Sequence, residues 1–171
     1  VVGTAVYTSN FTKPTEPLAV INNTKLLTAN KNNEIVDSST IAHNIAKNGN
    51  VTHHVSNPFP WNTTGYGSLY FDGTSDYIAT PTSTDLVIGT NDFTIEYWAM
   101  SNDFNTAQTI FDRRASHSID LKVGTNGSGQ HRVYANGSYR ILTTATTANT
   151  WNHVALQRSS NVLKMYLNGT E

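Results

Sequence analysis

Between Tyr66 and Trp98 the chain reads YGSLYFDGTSDYIATPTSTDLVIGTNDFTIEYW, and this stretch constrains the fold most strongly. Two short apolar runs flank Asp72-Gly73. Glycine admits positive φ, so the pair is expected where one strand folds back on the next. Further on, Phe93, Ile95, Tyr97 and Ala99 alternate with Thr94, Glu96, Trp98 and Met100. A period of two belongs to a strand whose two faces meet different surroundings. Ile119, Leu121 and Val123 alternate with Ser118, Asp120 and Lys122 in the same way. Gly124 to Gly129 predicts a hairpin loop leading to His131–Ala135, and Asn136-Gly137 predicts a tight turn into Tyr139–Thr144. Ser159-Ser160-Asn161 joins Trp151–Arg158 to Val162–Leu167. No window carries sustained helical periodicity. Short strands separated by turn signals predict an all-β chain, an antiparallel β-sandwich with two sheets burying their alternating faces against each other.

The first part of the chain is less regular. Val2 to Tyr7 is β-prone, and Pro14 and Pro17 stiffen the segment after it. Residues 1–17 are expected to be a terminal strand and linker, and residues 18–171 a second unit. Lys25–Thr28, Ile35–Ser39 and Val51–Val55 predict short strands. Pro58, Pro60 and Trp61 predict an irregular loop. The ends, Val1-Val2-Gly3-Thr4 and Leu167-Asn168-Gly169-Thr170-Glu171, read as cuts through a longer polypeptide, with the sandwich incomplete at its C-terminal end.

Composition narrows the function. Charged residues make up 13% of the 171, and the formal net charge is -1. A surface so weakly charged and rich in Asn, Thr and Ser suits contact with sugars or proteins. The longest basic run is Arg113-Arg114, which argues against phosphate-driven nucleic-acid binding. No segment is apolar enough for a helical membrane span. Cysteine is absent, so neither a disulfide nor a thiolate metal site is available.

Four short motifs carry a family resemblance. Asp37-Ser38-Ser39, Tyr66–Ile78 with Asp92–Trp98, Trp151–Leu156 and Tyr166–Gly169 resemble, in order, the "DSSGN", "GxLxFDGxxDYI…DFTIEFW", "WHHVALVR" and "LYVNG" patterns of laminin-G-like domains. The resemblance implies a concanavalin-A-like jelly roll. Gly3 to Phe11 looks like the "GTAVYTSNF" that closes such a domain in tail-fibre and other structural proteins of marine bacteriophages. This implies tandem repeats, with residues 1–17 ending one repeat and residues 18–171 holding most of the next.

Candidate chemistry is weighed residue by residue. Retaining glycosidases of this fold need two carboxyl groups about 5 Å apart. Glu96 stands alone on its strand, with no acidic neighbour two residues away, so no hydrolytic site is predicted. Asp72, Asp76, Asp85 and Asp92 read first as turn formers. The resemblance offers a single rim Ca²⁺ as the alternative, held by Asp72, Asp76 and Asp92; otherwise no cofactor is expected. His53-His54 cannot chelate one metal together, because neighbouring strand residues point to opposite faces. His153 reads as a packed sheet residue, and Trp98 and Trp151 as core. Trp61, Tyr134 and Tyr139 lie near loops, where an aromatic face can stack on a sugar ring.

The expected function is non-enzymatic: a virion structural and adhesion module, in an exposed fibre or capsid appendage, attaching to host surface glycans. Its partners would be those glycans and neighbouring virion proteins, in a homo-oligomer with a trimer among the options. Two alternatives stand beside it. One is a scaffold module binding only virion neighbours, and the other an extracellular adhesin repeat on a bacterial surface.

Overall fold

The computed structural model describes residues 1–31, 34–59, 65–113 and 121–171. Every ladder among them is antiparallel, and the only helical turn is a 3-10 turn at Thr84–Leu86. The all-β antiparallel expectation is correct. The chain forms two compact units, one from Val1–Val2 with Pro14–Leu86, the other from Gly3–Lys13 with Val87–Glu171. The units do not divide at Pro17: residues 3–13 pack with the C-terminal half.

Among its described residues the first unit holds six strands, β1 (Thr28–Lys31), β2 (Glu34–Asp37), β3 (Ala46–Asn48), β4 (Thr52–His54), β5 (Ser68–Tyr70) and β6 (Tyr77–Ala79). β1 pairs with β2, β3 with β6, and β4 with β5. Thus β3–β4 and β5–β6 are the two arms of one long hairpin, interrupted midway. This corrects the expectation at Asp72-Gly73. The turn there does not fold β5 onto β6; it belongs to the interruption. The Asp76 carboxylate fills that gap, accepting from Asn50 N at 2.6 Å and Asp72 N at 3.0 Å. Two backbone donors that a continuous ladder would pair are satisfied by one side chain instead. Gly49 faces the same carboxylate, and a Cβ there would lie 2.2 Å from Asp76 Oδ1.

The second unit is a sandwich. β7 (Phe93–Ala99), β12 (Asn152–Ser159) and β13 (Val162–Leu167) make one sheet, in the order β13-β12-β7. β8 (Thr109–Asp112), β9 (Leu121–Thr125), β10 (Gln130–Ala135) and β11 (Ser138–Ala145) make the other, in the order β11-β10-β9-β8. Phe93, Leu121, Val123, Val133, Val154, Leu156 and Met165 are buried in its core. Asn136-Gly137 and Ser160-Asn161 both turn with positive φ at each residue, as two-residue hairpins require. The strand β9 runs through Gly124 to Thr125, further than the glycine-rich sequence predicts. A Cβ on Gly124 would lie 2.1 Å from Gln108 O, so glycine there permits close backbone approach rather than a turn.

Central β12 is buried on both faces from Asn152 to Gln157. One face meets the opposite sheet, and residues 3–13 cover the other. That segment is not the strand predicted for Val2–Tyr7. At its ends Gly3 N donates to Asp92 O at 2.6 Å and Phe11 N to Gly169 O at 2.9 Å; between them Val6 N donates to Thr94 Oγ1 at 2.9 Å and Tyr7 N to Gln157 Oε1 at 2.8 Å. Between those ends it lies across the sheet face, where side chains supply the acceptors.

Candidate functional site

The solvent side of the β10–β11 hairpin carries the most distinctive surface chemistry among the described residues. The two-residue turn sets Ala135 opposite Ser138 and Tyr134 opposite Tyr139. Opposed residues share a face, and Arg132, two residues before Tyr134, joins them. The register then shifts, with Val133 opposite Ile141, so Arg140 is the extra residue of a bulge. Its guanidinium turns back on the hairpin end, where Nε donates to Ala135 O at 3.1 Å and Nη2 to Asn136 O at 3.4 Å. The Arg132 guanidinium lies over the Tyr139 ring, 3.9 Å from its centroid. Tyr134 meets Tyr139 edge-on, with centroids 5.3 Å apart and planes at 76°. Tyr139 is 47% exposed and Leu142, opposite Arg132, is 53% exposed. Lys122 lies opposite Tyr134, and Asp112 opposite Lys122. Among the described residues, neither Arg132 nor Lys122 has a carboxylate partner within ion-pair distance.

The inward residues of the same strand anchor this surface. Val133 and His131 are buried, and His131 Nδ1 lies 3.1 Å from the Tyr97 hydroxyl of the opposite sheet. Burial pushes the His131 imidazole down to about 4 and raises the Tyr97 phenol above its ordinary value. Both groups are neutral near pH 7, so the bridge between the sheets carries no charge.

On the other sheet, Glu96 faces the segment 3–13. The Tyr7 hydroxyl donates to Glu96 Oε2 at 2.6 Å, and His153 Nε2 lies 3.1 Å from the same oxygen. Burial, then the hydrogen bond to Glu96, raises the Tyr7 phenol. His153 is wholly buried, with Phe11 and Trp98 edge-on to its ring at 5.8 and 5.2 Å. It is a packed sheet residue, as its position after Trp151 predicts. Glu96 is engaged by two side chains and has no second carboxylate beside it on the strand. The arrangement clamps residues 3–13 and offers no acid–base pair to a sugar bond.

A second buried carboxylate serves the fold in the first unit. Asp37 Oδ1 accepts from Leu27 N and Ser39 N, each at 2.9 Å. Its Oδ2 accepts from Ser39 Oγ at 2.9 Å, His43 N at 2.8 Å and His43 Nδ1 at 2.7 Å. Burial alone would raise this acid, but the donors outweigh it and hold Asp37 well below the usual carboxylate range. Asp37-Ser38-Ser39 is therefore a structural motif that joins β2 to the next loop.

Of the three metal candidates, Asp72 and Asp76 lie in the first unit and Asp92 in the second. Asp72 Oδ1 accepts from Thr74 N at 2.7 Å, and Asp76 spans the hairpin interruption. Asp92 belongs to the second unit and accepts from Ser160 N at 2.9 Å. Asp85, also weighed, accepts from Ser83 Oγ at 2.9 Å. Among the described residues no three His, Asp or Glu side chains gather closely enough to hold a metal ion.

Of the aromatic candidates, Tyr134 and Tyr139 come together, while Trp61 lies outside the described residues. Arg132 was not singled out from the sequence, although the signal was present. A two-residue turn at Asn136-Gly137 alone places 134 opposite 139 and puts 132 on their face.

A family model described as "Concanavalin A-like lectin/glucanases superfamily" matches residues 72–171. No curated protein matches the chain, and no solved structure matches it.

Proposed function

The chain belongs to the concanavalin A-like lectin/glucanase superfamily, and from that premise we propose that it is a non-enzymatic adhesion module whose β10–β11 hairpin attaches to glycans. The superfamily is mostly binding or structural, with some glycosidase members. The observation that carries the proposal is the solvent-facing cluster of Tyr134, Tyr139 and Arg132. An aromatic face supplies the stacking surface that a pyranose needs, on a rigid two-stranded support. Against hydrolysis stands Glu96, which is tied to Tyr7 and His153. The proposed setting is a phage virion, in an exposed fibre or appendage, with host surface glycans as ligand and neighbouring virion proteins as further partners. The likeness of Gly3–Phe11 to tail-fibre segments supports that setting. Single-site contact of this kind is weak, so repetition in a homo-oligomer would supply avidity.

The test compares host-cell adsorption and glycan-array binding of the wild-type chain with Tyr139→Ala. Binding that falls at least about tenfold in the variant, which is roughly 1.4 kcal/mol, supports the reading. Absence of array binding by the wild type, with adsorption unchanged in the variant, overturns it. Release of reducing ends from host polysaccharide by the wild type, lost in Glu96→Gln, overturns its non-enzymatic part.

A further inference from the structure

We infer that the β10–β11 surface selects acidic glycans, with Arg132 gripping the carboxylate of a uronic-acid unit whose ring rests beside the Tyr134–Tyr139 pair. The inference rests on the glycan reading above and assigns the ligand's charge and the residue that reads it.

The argument begins with the guanidinium. Arg132 Cζ lies over the Tyr139 ring, 3.9 Å from its centroid, a distance at which a guanidinium packs on an aromatic ring. A stacked guanidinium keeps its N–H donors in its own plane, pointing away from the ring. Those donors form a fork that matches the two oxygens of a carboxylate. Here no carboxylate lies within ion-pair distance of Arg132 among the described residues. The side chain is also pre-ordered by stacking, so a ligand need not immobilise a free arginine.

The surroundings agree in sign. Lys122 sits across from Tyr134 and adds a second cation with no carboxylate within ion-pair distance among the described residues. Among the described residues, Asp112 lies across from Lys122, one strand further from Arg132. Arg140 is committed to the hairpin carbonyls and adds charge without competing for the ligand. A neutral glycan would gain from Tyr134, Tyr139 and Leu142 but would leave the Arg132 fork without an anion. A uronate fills both needs, because its carboxylate is carried on the same ring whose C–H face stacks.

The test is titration of the 171-residue chain with trigalacturonate, a neutral trigalactose of matching length, and a sulfated trigalactose, at low and high salt. The expected result is at least tenfold tighter binding of the uronate than of either other sugar, weakening with salt. Arg132→Gln should abolish the preference. Arg132→Lys should lose most of it, because lysine keeps the charge but cannot form the fork. As a control on folding, the Arg132 side-chain Nε–H resonance of the wild type should shift on uronate addition. Uronate and neutral sugar bound equally, a preference that survives Arg132→Gln or Arg132→Lys intact, or no shift at Arg132 would each overturn the inference while leaving glycan adhesion standing. Equal binding of the sulfated sugar would mean attraction to charge alone and would overturn the carboxylate assignment. No binding of any glycan would overturn both readings.

Discussion

Replacing His131 with asparagine should remove a specific part of the protein's acid sensitivity. The ring is 3% exposed, and its Nδ1 faces the Tyr97 hydroxyl at 3.1 Å. Burial holds it at about 4 in the folded chain, against an ordinary 6.5. Below 6.5 the unfolded chain takes up a proton there, and the folded chain does so only near 4. Between those values the unfolded state binds more protons, so stability must rise with pH. The contribution is complete above about 6.5 and disappears as the pH falls toward 4. The full difference corresponds to about 3 kcal/mol, a large share of a domain's usual margin. Asparagine places its Oδ1 near the position of Nδ1, where it still accepts from Tyr97, and it does not titrate. At pH 7 His131→Asn should be less stable than the wild type by roughly 1–2 kcal/mol, the cost of lost packing. That deficit should shrink by about 3 kcal/mol as the pH falls to 4, which is enough to reverse the order. Urea unfolding between pH 4 and 7.5, followed by far-ultraviolet circular dichroism, measures both proteins, and the carboxylates they share cancel in the difference. A wild-type-to-variant gap that stays constant across that range would refute the reasoning.

Gly169→Ala should cost at least about 2 kcal/mol, because φ is +87° and the new Cβ would lie 1.9 Å from Phe11 O. Gly137→Ala, at φ +80° with nothing within 4 Å, should cost only about 1 kcal/mol; equal losses in the two unfolding curves would sink the contrast. Phe11→Ala should cost roughly 3 kcal/mol and raise hydrogen exchange at His153 and Tyr166, since Phe11 stacks on Tyr7 at 3.7 Å and meets those two rings edge-on. Unchanged exchange there would show that residues 3–13 do not protect the sheet. Asp37→Asn should destabilise by about 3 kcal/mol at neutral pH, because an amide presents hydrogens to donors that need an acceptor. Asp37 is held low when folded, so its contribution is present above the ordinary carboxylate value and lost as the pH falls through the folded one. The variant's deficit should therefore narrow in strong acid, and a deficit as large at pH 2 as at pH 7 would contradict this.

Much of the β architecture was legible from period and turn chemistry. Phe93–Ala99 alternates in sequence, and the strand forms over those residues. Asn136-Gly137 and Ser160-Asn161 have few conformations open to them, and both turn with positive φ. Those turns even carry the register that brings Tyr134 to Tyr139. Such signals are local: they depend on a residue's own backbone preferences and on its alternation with near neighbours.

Other features depended on partners far away in sequence. Val2–Tyr7 has the residue types of a strand, yet the Val6 and Tyr7 N–H groups meet Thr94 and Gln157 because the segment crosses a sheet face there instead of extending an edge. Asp72-Gly73 has the signature of a hairpin, yet β5 and β6 pair with other strands, and Asp76 satisfies the donors left between them. Glu96 reads as a lone acid on a strand, and only the fold brings Tyr7 and His153 to its oxygen. The sequence alone determined the class of fold, the turns and the facing of side chains, because these depend on local backbone energetics. The tertiary structure alone decided which strands pair, what covers β12 and which carboxylates are occupied, because hydrogen-bond satisfaction draws on residues beyond the reach of local pattern, 26 positions apart for Asn50 and Asp76 and 150 for Tyr7 and Gln157.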